Sequence, residues 1–526
     1  MDFGTTRIVV AAVDRGNYPV VSFEDAEGVS REWFAPLVAV RGRECVFGWQ
    51  AWQAQFEPEW TVLRSLKRVL EGAGPASSIE IAGQAFPIMH LLRGMTESLR
   101  DALSTCSSLP GIQMGQRYQV MLGVPANANS NQRFLTVEAF RQGGFEVLGL
   151  LNEPSAASIE YGHRNRESRR VESLLVYDLG GGTFDASLVT ISERLHTVVA
   201  TEGAGDLGGD DFDVALAMQA LSQHGVDGAE LTESELHRLH EECRARKEAL
   251  NPNTRRVVVD LGVVREGWPQ VAVPAGEYYE RCRPLVERSI EITEQLLREH
   301  TEADVDALYI TGGGSELPAV SRILKETFGR RARRSAYMRS ATAIGLAIQA
   351  DHESGYTLRE IFHRHFGVWR ESEDGRRVIF DPLFPKGSPV PAAGEPAVCI
   401  RRRYVPAHNI GHFRYLECTH TTDDNQPDGD ITMWDDIRFP FAPDLAGIEN
   451  LDGIPVERTP EFESQTVEES YSVDATGLVE VRIGNLVSHY SRTYRLGRWS
   501  ARPDTLSPSR RRRTRAEPSG GATPGQ

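Results

Sequence analysis

Two short glycine loops constrain this chain more than any other feature. DFGTT (2–6) and DLGGGTFD (178–185) share an aspartate, a glycine two residues after it and a threonine further on, and a β-like run follows each. A strand–turn–strand of this kind points backbone N–H groups at an anion, and glycine lets phosphate oxygens approach the main chain. An aspartate at the end of each strand suits a hydrated Mg²⁺, which keeps much of its water shell. Neither loop has the GxxxxGK[ST] spacing of a Walker A motif. One such loop reads as an ordinary hairpin turn, whereas two related loops read as two halves of a phosphate site. Two more glycine clusters join them. TGGGSELP (311–318) lies between a strand and a helix, with Ser315 expected as N-cap and Pro318 in the first turn. GDLGGDDFD (205–213) opens another helix, a placement that favours an anion or sugar–phosphate contact. Together the four clusters describe a nucleotide held between two lobes.

The surrounding pattern agrees. Over residues 1–352, strand-like and helix-like segments alternate. RYQVMLGVP (117–125) predicts a buried strand and residues 129–142 a helix; SLLVYDLGGG (173–182) predicts a strand with FDASLVTIS (184–192) as its hairpin partner. Tyr278, Cys282, Leu285, Val286, Ser289, Thr293 and Leu296 recur at helical spacing and predict an amphipathic helix. This is an α/β region, too long for one sheet. Residues 353–365 read as a linker. Short extended runs broken by Pro, Gly, Asn and Asp predict an antiparallel β-sandwich over 366–489. Residues 490–526 are rich in Arg, Ser and Pro and predict a disordered basic tail.

Composition excludes several classes. Fifty-eight Lys and Arg stand against 74 Asp and Glu, a net charge of −16, so the chain is a poor general binder of nucleic acid or acidic membranes. The Arg510–Arg513 run is the one candidate for such contacts and is expected to be solvated. No apolar run is long enough to span a bilayer, and the opening MDFGTT lacks the basic start of a secretory signal. The six cysteines lie scattered without CxxC or CxxH spacing, which argues against disulfides and structural zinc and fits a reducing cytoplasm.

With these motifs in place, the first 350 residues resemble the ATPase domain of the heat-shock-70 chaperone family, within the actin-like (ribonuclease-H-like) superfamily. DFGTT and DLGGGTFD are similar to that family's two phosphate loops, LLNEPSAASIEYG (150–162) to its connecting segment and TGGGSELPAV to its adenosine turn. RSLKRVLEG (64–72) is similar to its lysine-bearing strand-loop, VPANANSNQRFLTVEAFRQGGFEVL (124–148) to its proline–arginine switch, and LDGIP with VDATGLVEV to its peptide-binding sandwich. The resemblance implies ATP or ADP with Mg²⁺ between two lobes. Gly4, Thr5, Thr6, Gly180, Gly181, Gly182 and Thr183 would cradle phosphates, with Gly208 and Gly209 beside them. Asp2 and Asp178 would orient Mg²⁺ through water. Lys67 would be the catalytic lysine, fixing the attacking water and offsetting charge on the transferring phosphoryl group. Glu153 would link phosphate sensing to the lobes, Pro125 and Arg133 would relay nucleotide state, and Lys247, Asn251, Gly312, Gly313 and Gly314 would lie at the adenosine.

Departures from the family pattern set further expectations. Only Met1 precedes the first aspartate, so either the start lies further upstream or the first lobe lacks half a central strand. Arg7 replaces a polar or aromatic residue, Glu316 an adenine-packing arginine, Arg244 a ribose-contacting glutamate, Asn251 a serine, and Arg339 an acid. The phosphate half is kept while the base half is altered, so ATP is expected to lose its usual advantage over GTP. The linker keeps only Leu358, Ile361 and Phe362 as apolar contacts, with Glu360 near the place of the linker acid. No helical pattern follows Asn485, so a helical lid is expected to be missing and bound peptide to exchange fast. The function implied is an ATP-hydrolysing chaperone of unfolded polypeptides, with co-chaperone and exchange-factor partners, in the cytoplasm and linked to stress response. The alternative is a nucleotide-gated regulatory or interaction protein with little ATPase activity. An actin-like sugar kinase is disfavoured, because it has no use for a peptide sandwich.

Overall fold

A computed structural model describes residues 1–110, 116–165, 171–300, 304–372, 377–391, 395–448, 450–458, 464–474 and 477–495. The apolar run Leu174–Tyr177, which ends in Asp178 and Leu179, explains the centre of the larger sheet. Its side chains are buried on both faces, as a strand covered by helices requires. This strand, Glu172–Leu179, pairs antiparallel with Phe184–Ser192, setting Asp178 directly opposite Asp185. On its other edge it pairs in parallel with Ala307–Thr311, setting Asp178 beside Thr311. Two of the glycine clusters therefore leave the carboxyl ends of neighbouring parallel strands, where open α/β sheets bind ligands. The whole sheet has six strands, running Ala332–Arg334, Ala307–Thr311, Glu172–Leu179, Phe184–Ser192, Leu195–Ala204 and Thr357–Arg359.

A second sheet orders Glu146–Asn152, Gln119–Val124, Asp2–Phe3 and Ile8–Val9. The first three run parallel, with Asp2 beside Gly123, and the last returns antiparallel. The strand before the first loop is two residues long. The Met1 amino group donates to the Met121 carbonyl and the Met1 carbonyl accepts from Gly123 N, continuing its ladder.

Each sheet backs onto its own apolar cluster. One gathers Tyr177, Phe184, Phe212 and Leu216 with the stripe of the Ala275–Glu299 helix, in which Tyr278, Cys282, Val286 and Leu296 are buried as the spacing predicts. The other gathers Phe3, Ile8, Phe34, Leu122 and Phe140. The Ser130–Gln142 helix in this second part starts at Asn129, which forms a reciprocal capping box with Gln132.

The remaining strands form two four-stranded antiparallel sheets. One orders Arg377–Phe384, His365–Ser372, Ile410–Thr421 and Pro427–Pro440; the other orders Val398–Tyr404, Val467–Val473, Val479–Asn485 and Tyr490–Arg495. Their inner faces share a core of Phe366, Tyr415, Trp434, Phe439, Tyr471 and Ile483, making a β-sandwich. Strict in–out alternation along Val467–Val473 matches that packing.

Local expectations change in four places. Tyr490–Arg495, assigned to the tail, is an edge strand of the sandwich: its Tyr and Thr residues suit a pleated surface despite the flanking arginines. The rest of the tail, with Arg510–Arg513, lies outside the described residues. The linker is docked, because Thr357–Arg359 pairs in parallel with Leu195–Thr197 and buries Leu358. Ser315 is not an N-cap, since its hydroxyl donates to the Thr311 carbonyl within a 3₁₀ turn while Pro318 opens the helix. Lys67 sits in a helical turn, Leu66–Val69. Among the described residues no helix is long and apolar enough to cross a membrane.

Candidate nucleotide site

The two phosphate-type loops interlock. A Cβ on Gly181 would sit 2.8 Å from the Thr6 side chain, and one on Gly182 would sit 2.7 Å from Thr5 Oγ1. The turn at 180–183 closes through Gly180 N to the Thr183 carbonyl at 2.9 Å. The third cluster stacks onto it: Gly209 N donates to the Gly180 carbonyl and Asp210 N to that of Gly181, at 2.9 and 2.7 Å. Gly208 packs against Gly181 so closely that a Cβ would meet its carbonyl at 2.6 Å. Gly312 adopts φ +85°, and a Cβ there would sit 2.3 Å from the Leu179 carbonyl, so only glycine fits. These close approaches wall an open cleft.

Its floor is charged and buried. Lys67 Nζ, from its helical turn, pairs with Glu153, the first residue of the Glu153–Arg164 helix. Asp2, Asp178 and Asp185 surround the pair. Burial, reinforced by Glu153, pushes the Asp2 carboxyl up to about 7, with Lys67 and the amino terminus pulling the other way. Burial and then Glu153 push Asp185 up to about 7 as well. Asp178 rises well above the usual carboxylate range through burial, Glu153, Asp185 and Asp2. Burial opposes the charge on Lys67, yet Glu153 and Asp2 hold its pKa above the usual lysine value. Four carboxyl groups share the Lys67 ammonium and the amino terminus, a shortage of cation that pushes three of them toward the neutral form. Asp2 Oδ1 is buried with no hydrogen-bond partner. A hard divalent cation fits this oxygen-only donor set. Among the described residues no three acidic, His or Cys side chains stand close enough to ligate a cation directly. Asp2 and Asp178 fit one held through its water shell.

Of the residues expected at a nucleotide, Asp2, Gly4, Thr5, Thr6, Lys67, Glu153, Asp178, Gly180, Gly181, Thr183, Gly209, Lys247, Gly312, Gly313 and Gly314 line this one cleft. Gly182 turns its carbonyl to Arg68, whose Nε and Nη2 donate at 3.2 and 2.9 Å. Gly208 supports the loop from behind. Asn251 does not reach the cleft: it is exposed, and its Oδ1 accepts from Asn253 N. Lys247 is tied by Nζ to the Gly209 carbonyl and to Asp213, at 2.6 and 2.7 Å.

Several residues escaped the reading of the sequence. Asp185 is the clearest, since a hairpin register centred on 180–183 places it opposite Asp178. Arg64 reaches Asp213 at 3.1 Å and Glu241 at 2.9 Å, and Arg68 reaches Asp211 at 3.0 Å. The Arg7–Glu248 pair, far apart in sequence, left no local signal.

A second set of contacts leads away from the cleft. Arg133 donates to Asn152 Oδ1 at 2.5 Å, and Asn152 Nδ2 donates to Glu360 of the linker at 2.8 Å. From the sandwich, Glu417 accepts from Ser130 N at 2.9 Å and Ser130 Oγ at 3.0 Å, at the start of the Ser130–Gln142 helix. Lys386 pairs with Glu202 of the six-stranded sheet.

Comparison with known proteins matches residues 114–363 to the model of a family described as Hsp70 protein. A chaperone protein HscA homolog of Burkholderia multivorans is 30% identical over 414 residues, covering 75% of this chain and 64% of the relative. The chaperone protein DnaK of Thermus thermophilus is 29% identical over 522 residues, covering 91% and 77%. A heat shock cognate HSP70 protein of Trypanosoma brucei brucei is 28% identical over 438 residues, covering 79% and 60%. The chain thus spans less than two thirds of the first and third of these relatives.

Proposed function

The chain belongs to the Hsp70 family, and from that premise we propose that its cleft binds a nucleoside triphosphate with Mg²⁺ and hydrolyses it slowly. We propose too that nucleotide state sets the affinity of the sandwich for extended polypeptide, in a cytoplasmic chaperone with co-chaperone and exchange-factor partners. The observation that carries the reading is the buried Lys67–Glu153 pair amid Asp2, Asp178 and Asp185, beneath two interlocked glycine loops.

Each residue has a task in water attack on the γ-phosphorus. Backbone N–H groups of 4–6 and 180–183 would bind the phosphate oxygens. Lys67 would offset negative charge developing on the transferring group, and Glu153 holds its ammonium in place. The Asp185 carboxylate, made more basic by burial and by Glu153, would accept the proton the attacking water loses. Mg²⁺ bound through water to Asp2 and Asp178 would neutralise phosphate charge. The Arg133–Asn152–Glu360 contacts support a route from the cleft to the linker, and Glu417 on Ser130 supports one from the sandwich. Single-turnover hydrolysis with and without an unfolded peptide tests the proposal. Turnover that peptide accelerates is expected; turnover indifferent to peptide would remove the coupling, and none at all would remove the enzyme.

A further inference from the structure

The cleft carries a second charged cluster with no member in common with the first. Arg7 follows the first glycine loop, Arg244 and Glu248 lie one turn apart at the end of the Glu233–Glu248 helix, and Arg339 precedes the Ala341–Ala350 helix. All four line the cleft together with Gly312–Gly314. Glu248 Oε2 accepts from both Arg7 and Arg339, the latter at 3.2 Å. Arg339 Nε and Nη2 both donate in turn to Glu316 Oε2, the former at 2.7 Å. Arg7 is further fixed over the Trp33 ring at 5.2 Å. Burial works against the Glu248 charge, yet Arg7, Arg339 and Arg244 hold its carboxyl at about 2, so it stays an acceptor. The Arg339 and Glu248 side chains keep 35% and 30% exposure. The N–H groups that Arg339 does not spend on Glu316 and Glu248, with Glu248 Oε1, are left to a ligand.

This cluster consists of groups that only donate and groups that only accept. A guanidinium offers parallel N–H donors, and an ionised carboxylate offers two acceptors. Guanine segregates its edge in the same way: N7 and O6 are adjacent acceptors, and N1–H and N2–H₂ are adjacent donors. Adenine alternates, with N7 accepting, N6 donating and N1 accepting. A donor fork matches both atoms of only the guanine N7/O6 edge, and an acceptor fork matches both atoms of only its N1/N2 edge. Against adenine each fork leaves one group facing its like, and a polar group left unpaired in a site is heavily penalised. Resting on the nucleotide reading above, we propose that Glu248 and Arg339 make this cleft selective for guanine over adenine nucleotides. ATP remains a ligand at higher concentration, because the phosphate loops do not read the base.

Calorimetric titration of the full chain with Mg·GTP, Mg·ITP and Mg·ATP tests this. GTP is expected to bind at least tenfold tighter than ATP, equivalent to about 1.4 kcal/mol. ITP, which lacks the 2-amino donor, should fall between them. In Glu248→Gln, which turns one acceptor into a donor, the GTP-to-ATP ratio should shrink to within about threefold. ATP binding as tightly as GTP in the wild type, or a ratio unmoved in the variant, overturns base selection while leaving nucleotide binding intact. Binding of none of the three overturns both readings together.

Discussion

Asp178 and Asp185 face each other across a hairpin, and like charges directly opposite in a ladder are destabilising. Their cost sets a pH dependence. In the unfolded chain both Asp2 and Asp185 ionise near 3.8, whereas in the fold each ionises near 7. Between those values the folded protein holds protons that the unfolded chain has released, so the contribution of these two carboxyls falls as pH rises from about 4 to about 7. Burial lowers His196 and His237 to about 4 and works in the opposite direction over the same window. The carboxyls are therefore isolated by comparing wild type with Asp185→Asn in thermal melts without nucleotide or divalent cation. The melting temperature of the variant relative to wild type should rise as pH goes from about 4 to about 7. A difference that falls over the same range contradicts this charge assignment. Much of this site was legible because its signals are local: aspartate, glycine and threonine within a single turn. The convergence of Asp2, Lys67 and Glu153 was not, since three distant segments supply them and no periodicity links them; the family resemblance alone paired them. Of the Arg7–Glu248–Arg339 cluster only Arg7 and Arg339 were legible, as odd residues at altered positions, because ion pairing is a property of the folded surface.

Elements follow the period of their apolar residues wherever burial is one-sided. The Ala275–Glu299 stripe and the alternation of Val467–Val473 appear as the spacing predicts. Tyr490–Arg495 was misread because an edge strand buries little, and its arginines look like those of the tail beyond it. Helix Ala341–Ala350 shows what spacing does not convey. A Cβ on Gly345 would sit 1.8 Å from the carbonyl of Ala156, so glycine lets this helix approach Glu153–Arg164 closely. Gly345→Ala forces the two apart, at a cost of about 1–3 kcal/mol or more by overpacking. Because Glu153 starts the displaced helix, nucleotide affinity should weaken with it. Urea titration and nucleotide titration of the variant measure both; unchanged midpoints would show that the helices are not in such close contact.

At the scale of the whole molecule, the sandwich meets the rest through a few buried polar contacts. Glu417 caps the start of the Ser130–Gln142 helix and lies 3.8 Å from buried Arg364. Glu417→Ala leaves these donors unpaired, at about 1–3 kcal/mol, and should loosen the docked linker. Faster hydrogen exchange across Thr357–Arg359 and the linker beyond it is the expected signature, with the apolar cluster around Tyr177 and Tyr278 unaffected. Exchange that stays slow would place the docking energy elsewhere. The central claim is that the buried lysine beneath the glycine loops drives phosphoryl transfer to water. Single-turnover hydrolysis of Mg·ATP and Mg·GTP by the wild type and by Lys67→Ala, with nucleotide binding measured alongside, tests it most directly. The account predicts slow hydrolysis by the wild type and loss of turnover with binding largely retained in the variant. Turnover persisting in Lys67→Ala at the wild-type rate would contradict it.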